Sequence, residues 1–452
     1  MTLAIRPAPG PSREYHFPEF SRHVMANGLK VIVAPVHKLP VVTLVAVVDA
    51  GAIADPTGFE GLAQITAEAL REGTEKKNGI EILEGFERLG SSLEAGADWD
   101  STLVSITLLS EHLKEGLSLM AEVLTEPSFP SGEIERLKAE RLAERLQILS
   151  EPRGLADESF SRLLYSSGSR YAEPIGGTSV SIAAVTRADV VEFFETRYTP
   201  RTVTMIMTGD VEVNQALALL NDAFGNWEAK AAAPHKDLEK EAPTTRSVEI
   251  VSKSDAAQVE LRLGHLGIPR THPDYFSVVV MNALLGGLFS SRINLNLRER
   301  HGYTYGASSY FDWRRNSGPF VISTAIQSEV TADALRECIT EIDGMRSQEV
   351  SADELSLATN YLDGVFPIRY ETTSAIASAL ANMVVFDLPN DFYNTYRANI
   401  RAVTPADVLA AAKTHVHPDR LRAVVVGDPG VIKESLEKLS FGQVMVHAPS
   451  DK

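Results

Sequence analysis

The chain has 452 residues, 44% hydrophobic and 23% charged, with 60 acidic side chains against 43 basic ones and a formal charge of -17. That length suits two domains of roughly 200 residues with sizeable cores, and the acidic balance works against binding to phosphate backbones or anionic membrane surfaces. The single cysteine, Cys338, excludes an intramolecular disulfide and any multi-cysteine metal site, and "ALRECITEI" places it at a buried helix position.

The opening "MTLAIRPAPGPSREYHF" has prolines where an export signal needs an apolar run, and no later segment approaches about 18 uninterrupted apolar residues. No membrane insertion is expected; the cytoplasm is the default compartment, with the periplasm the alternative if an export signal has been removed. "LKVIVAPV", "VVTLVAVVDAG" and "STLVSITLL" carry the β-branched enrichment of strands, and 58–73, 79–89, 111–124 and 131–149 carry helical periodicity. Residues 228–247 mix prolines, alanines and charges without apolar periodicity and read as a linker between an N-terminal domain, 1–227, and a C-terminal domain, 248–452.

The two series are copies of one design. "AVTRADVVEFFETRYTPRTVTMIMTGD" (184–210) and "AVTPADVLAAAKTHVHPDRLRAVVVGD" (402–428) align without a gap, each a helix capped by a threonine, Thr186 or Thr404, that leads through a proline turn into an apolar strand. A repeat this long is a duplicated domain rather than a solenoid unit. The expected fold is therefore α+β: two homologous domains, each a mixed, mostly antiparallel sheet covered by helices.

"GLAQITAEALREGT", Gly61 to Thr74, is an amphipathic helix ending on a glycine. A duplicated α+β domain with this helix between "GLA" and "GT" resembles the pitrilysin/insulinase family of zinc peptidases, in particular its short-chain, mitochondrial processing peptidase-like branch, over nearly the whole chain. Active members read G-x-A-H-x-x-E-H-x-x-x-x-G-T here, so that two histidines on one helix face hold zinc and the glutamate between them activates water. In this chain Gln64, Ala67 and Glu68 stand at those three positions. Glutamine is a weak neutral ligand, Glu68 offers oxygen where imidazole is wanted, and Ala67 accepts no proton. The resemblance places the family's remaining glutamate ligand at Glu144 in "EIERLKAERLAERLQ". An oxygen-only Gln64/Glu68/Glu144 site would suit Mg²⁺ or Ca²⁺ and would ordinarily recruit more carboxylates, so no metal is expected in this chain. Two other metal candidates are weak: His415 and His417 of "THVHP" stand in the turn before a strand with no carboxylate nearby in sequence, and "DWD" at 98–100 reads as surface decoration.

The family's second marker is intact. "LRERHGYTY" sets Arg298 and Tyr305 in register with Gly302 between them, beside a decoy, Tyr303; the resemblance implies that this pair binds the substrate carbonyl and the developing oxyanion. Ahead of it, Gly286 and Gly287 of "LLGGLFSSRI" either end a helix or form a shortened counterpart of the glycine-rich substrate loop in the non-catalytic processing-peptidase subunit. A sheet edge for strand addition is expected near "SLEAGADW", 92–99. Loss of the zinc and base positions with retention of Arg298 and Tyr305 implies a non-catalytic subunit, inactive alone, whose partner is a zinc-bearing H-x-x-E-H homologue. The two chains would close around peptide substrates. A purely structural subunit and a stand-alone peptide-binding homodimer are the alternatives.

Overall fold

Alternating apolar runs become two six-stranded sheets in the computed structural model, which describes residue 10, residues 14–229 and residues 245–451. The first sheet contains β1 (Ser21–Val24), β2 (Lys30–Pro35), β3 (Val41–Val48), β4 (Glu94–Ala97), β5 (Thr102–Leu109) and β6 (Val203–Gly209), in the order β1-β2-β6-β3-β5-β4. The second contains β7 (Ser247–Ser252), β8 (Val259–Leu266), β9 (Ala307–Phe311), β10 (Pro319–Ile326), β11 (Arg422–Gly427) and β12 (Gln443–His447), in the order β12-β7-β11-β8-β10-β9. The inner orders superimpose strand for strand: β2-β6-β3-β5-β4 matches β7-β11-β8-β10-β9. Each has one central parallel pair, β2 with β6 or β7 with β11, followed by antiparallel neighbours. Only the outermost strand differs, coming from the chain's beginning in one sheet and its end in the other. The fold is α+β, mixed and mostly antiparallel. Most of the expected linker, 228–247, lies outside the described residues.

The repeated "AVT-x-AD" has a local cause. Thr186 accepts from the Asp189 amide while Asp189 accepts from the Thr186 amide at 2.8 Å, and Thr404 and Asp407 repeat the arrangement at 2.9 Å. Both copies use a capping box with aspartate in the place usually given to glutamate. Cys338 is fully buried in the helix Thr331–Ser347, and burial pushes its thiol up to about 12. The helical run Tyr275–Arg300 is long and apolar enough to cross a membrane by composition, yet half of its most apolar stretch is buried inside the protein.

The halves exchange helices. Pro152–Leu164 packs on β11 and β8 of the second sheet, where its Asp157 pairs with buried Arg262 at 2.5 Å. Thr373–Val385 packs reciprocally on β3 and β6 of the first, and Thr373 hydrogen-bonds Thr43 at 2.9 Å. One apolar cluster consequently joins Ile32, Val45, Val47 and Ile206 to the core of the second series.

Near the "DWD" stretch the same boundary is polar and closed. Surface decoration is the wrong reading for Asp100, although Asp98 is exposed. Asp100 is 5% exposed and accepts from Tyr171 Oη and the Arg315 amide, both at 3.0 Å. The Arg314 guanidinium lies 4.3 Å from the Trp99 ring centre and 4.7 Å from that of Tyr171. An exposed reading missed this because the partners lie on segments far away in sequence. Asp100→Ala should cost about 1–3 kcal/mol for each of the two donors it leaves unpaired, measurable as a lowered denaturation midpoint, whereas Asp98→Ala, at an exposed neighbour, should change little.

Candidate functional site

The degenerate helix is shorter than its periodicity suggests, Leu62–Ala69 with a tighter turn over Leu70–Glu72. Gly61 stops it at the N-terminal end. Its φ of 97° is left-handed, and a Cβ there would meet the Gly176 carbonyl oxygen at 2.4 Å, so glycine alone fits. Buried Asp55 accepts from the amides of Gly61 at 2.8 Å and Ala63 at 2.7 Å and from Arg170 at 2.9 Å. Burial raises its carboxyl pKa, with Arg170 and the two amides opposing. The helix that carried chemistry in the resembling family is thus held rigidly here by backbone and buried charge.

What faces Gln64, Glu68 and Glu144 is an arginine. Arg141 lies one turn before Glu144 and donates to Glu144 at 2.8 Å and to Glu68 at 2.9 Å, with a second close ion-pair contact to Glu68. In the amide orientation that satisfies both of its ends, Gln64 accepts from Arg141 at 3.0 Å and donates to the Ala97 carbonyl of β4 at 2.8 Å. A planar, permanent cation therefore joins the three side chains that the resemblance assigns to the metal. Burial draws its pKa below the ordinary arginine value and Glu144 works against that. Ala67 is 0% exposed and supplies no base.

A catalytic zinc does not fit these residues. Glu68 and Glu144, the two anionic groups of the set, are committed to Arg141, imidazole is absent, and the water-activating position is a methyl group. The surviving glutamate ligand expected from sequence is present as a residue but is engaged as a salt-bridge partner. Removing the cation alone should be costly: Arg141→Met leaves Glu68 half-buried and unpaired, an expected loss of about 1–3 kcal/mol that urea unfolding would register, with Arg141→Lys restoring part of it.

Gln64, Arg141 and Glu144 line a cavity of about 340 Å³ whose opposite wall, Tyr310, Asp312 and Arg314, comes from the second half. Arg298 and Tyr305 lie elsewhere. Tyr305 is 91% exposed and lines a groove of about 590 Å³ with Gly286, Gly287, Phe289 and Ser308. The Arg298 guanidinium sits 4.3 Å from the ring centre of Phe289, which joins it to that groove. No residue lining the cavity also lines the groove. Tyr303 is packed instead, its ring stacked 4.9 Å from that of His301.

The glycine pair is not a loop. Gly286 and Gly287 close a π-helical turn, Ala283–Gly287, and Arg298 lies in a second, Leu295–Arg300. Such wide turns are rare and concentrate at functional positions. A Cβ on Gly286 would come within 2.6 Å of the Ser309 amide, so glycine lets this turn lie directly on β9. Sequence reasoning missed Asn282 and Asn294, which fasten the region: Asn282 donates to the Ser309 carbonyl at 3.0 Å, and Asn294 donates to the Phe289 carbonyl at 2.6 Å and accepts from the Ala307 amide at 3.0 Å. It also missed Arg141, although an arginine three residues before Glu144 on a helix signals an ion pair. The candidate sheet edges are β4 and β9, which close their sheets on one side.

Comparison with known proteins agrees with the fold. The model of the insulinase family (peptidase family M16) matches residues 30–177, and that of the peptidase M16 inactive domain matches 184–362. An uncharacterized zinc protease, YmxG of Bacillus subtilis, is 25% identical over 360 residues, 78% of this chain and 85% of its own. A non-peptidase homolog, YmxG of Helicobacter pylori, is 24% identical over 371 residues, 81% of this chain and 84% of its own. The structure of a peptidase M16 inactive domain from Pseudomonas fluorescens superimposes with a TM-score of 0.85 at 27% identity, covering 91% of this chain and 98% of that one. A Helicobacter pylori protease structure shares the fold at TM-score 0.85 and 19% identity, over 90% of this chain and 99% of its own.

Proposed function

This chain belongs to the M16 (insulinase) peptidase family, and from that premise we propose that it is the non-catalytic subunit of a heterodimeric zinc peptidase. It completes a substrate chamber with a zinc-bearing H-x-x-E-H homologue, whose zinc serves the reaction, and presents Arg298 and Tyr305 to the peptide. The observation that carries this reading is the contrast between the two places. At the position the resemblance assigns to the metal, a guanidinium holds the remaining polar side chains together. Tyr305 is left open to solvent beside a groove, with Arg298 held near it on Phe289.

Chemically, the partner's zinc would polarise the scissile carbonyl and activate water. Arg298 and Tyr305 would add donors where negative charge develops, and neither needs to ionise to do so. The groove lined by Gly286, Gly287 and Ser308 would take an extended peptide beside the edge strand β9, with specificity set by the side chains along it.

The experiment is reconstitution. The chain alone should hydrolyse no peptide, and mixing it with an H-x-x-E-H homologue from the same organism should yield a heterodimer on size-exclusion chromatography together with chelator-sensitive cleavage of unfolded peptides. A chain that stays apart from every such homologue defeats the proposal. A heterodimer whose activity ignores Arg298 and Tyr305 would make this a structural subunit.

A further inference from the structure

His415 and His417 do not stand in one extended turn. His415 ends the helix Pro405–His415, while His417 lies beyond it, and its ring packs 5.1 Å from that of His265. The carboxylate missing from the local sequence comes from Asp274, whose Oδ2 lies 2.6 Å from His415 Nε2. His272 completes the group: its ring is 4.8 Å from that of His415 and nearly perpendicular to it, and its Nδ1 is 4.0 Å from Asp274 Oδ2. All three ligand atoms lie within 4.8 Å of one another.

Two features set this cluster apart from an ordinary surface ion pair. Asp274 occupies the N-cap of the helix Tyr275–Asn282, where an aspartate normally accepts from the first amides, yet it makes no side-chain cap and turns to His415 instead. The backbone just past His415 is anchored by a third imidazole. His265 donates from Nδ1 to the Leu266 carbonyl at 2.8 Å, leaving Nε2 to accept from the His417 amide at 3.0 Å; burial lowers the His265 pKa to about 4, which keeps that ring neutral. His415 itself sits at a helix C-terminus, the end that favours a cation.

We propose that His272, Asp274 and His415 form a site for a borderline divalent cation of the Zn²⁺ class, remote in sequence from the degenerate helix and separate from the partner-subunit reading. Two nitrogens and one oxygen suit Zn²⁺, Co²⁺ or Ni²⁺ and disfavour Mg²⁺ and Ca²⁺. Ligand bonds of about 2.0–2.2 Å put ligand atoms roughly 3.3 Å apart, so His272 must swing inward, releasing the hydrogen bond its Nδ1 accepts from the Asp274 amide at 3.1 Å. The ion replaces the His415–Asp274 hydrogen bond. Half-exposed Asp274 and His272 leave it a path from solvent, and buried His415 supplies the fixed wall. Water fills the remaining position. The site pins the start of one core helix to the end of another.

The test uses the tag-free full chain after chelator treatment, titrated with ZnCl₂ against a chromophoric indicator and with CoCl₂ by visible absorption. One equivalent should bind, with a cobalt spectrum typical of nitrogen and oxygen ligation and a raised thermal midpoint. His272→Ala and Asp274→Asn change surface-accessible groups and should each weaken binding at least about tenfold, while Gln64→Ala and Glu68→Ala leave it unchanged. Absence of binding by the native chain, or equal affinity in His272→Ala, overturns the site. Binding lost on Gln64→Ala or Glu68→Ala would move the ion to the degenerate helix and also overturn it. None of these results depends on whether a partner subunit exists.

Discussion

Gln64→His with Glu68→His should give a chain that still fails to hold zinc at the degenerate helix, and adding Arg141→Ala should convert it into one that does. The two imidazoles and Glu144 would then supply three ligands on facing helices, but with Arg141 in place a divalent ion would have to share the space with a guanidinium already bonded to Glu144. A unit charge about 4 Å from a divalent ion costs about 8 kcal/mol at the effective dielectric of a protein surface, roughly 10⁶ in affinity. Zinc titrations of the two variants, made in a His272→Ala background so that the other cluster does not contribute, read this difference directly. Equal affinity with and without Arg141→Ala would show that Arg141 does not stand where the metal would. Peptidase activity should not follow in either variant, because Ala67, buried at 0% exposure, supplies no base.

The parts of the molecule legible from sequence are those encoded locally. Strands β2, β3 and β5 and the helix Ser131–Ser150 fall where β-branched runs and helical periodicity put them, because period and propensity act over a few residues. The duplication was legible because the capping boxes at Thr186 and Thr404 recur with their proline turns. The substitutions at Gln64, Ala67 and Glu68 could be read one by one, since the chemistry each position needs is known. The partnerships were not legible. Asp100 meets Tyr171 and Arg315, Asp274 meets His415, and the helix Pro152–Leu164 covers the other half's sheet. Each of these depends on which surfaces the tertiary fold brings together, and local pattern carries no such information.

The exchange of helices bears on how a chamber could work. A hinge between independent domains would let each half move freely, but here each sheet is covered partly by a helix from the other half, and Asp157 with Arg262 and Thr373 with Thr43 cross the boundary. The buried Arg314 among Trp99 and Tyr171 adds a further tie. The two halves of this chain therefore behave as one shell. On the proposed function, opening and closing around a peptide would fall to the contact with a second chain, and the residues offered to that partner would matter more than flexibility within this one.

Arg298→Ala or Tyr305→Phe should lower the turnover of the reconstituted peptidase by roughly 10²–10³-fold, the usual loss for one oxyanion donor, while the heterodimer still forms. Tyr305→Phe is the sharper probe, since it removes one hydroxyl and hardly any volume. With Tyr305 91% exposed, the missing hydroxyl leaves no cavity and no buried partner among the described residues, so stability should be unchanged and any loss of rate belongs to the substrate. Arg298→Ala is more complex, because it also frees the Phe289 ring from its cation; Arg298→Lys keeps the charge while removing the fork that bonds a carbonyl in two places. Tyr303→Phe is the matched control: that ring is stacked on His301 and partly buried against the core, and its hydroxyl should be dispensable for turnover. A drop in kcat with little change in KM for Tyr305→Phe identifies a bond made in the transition state, whereas a change confined to KM means that Tyr305 only holds the peptide. Full activity in both Arg298→Ala and Tyr305→Phe would remove the shared-site mechanism and leave this chain as a wall of the chamber.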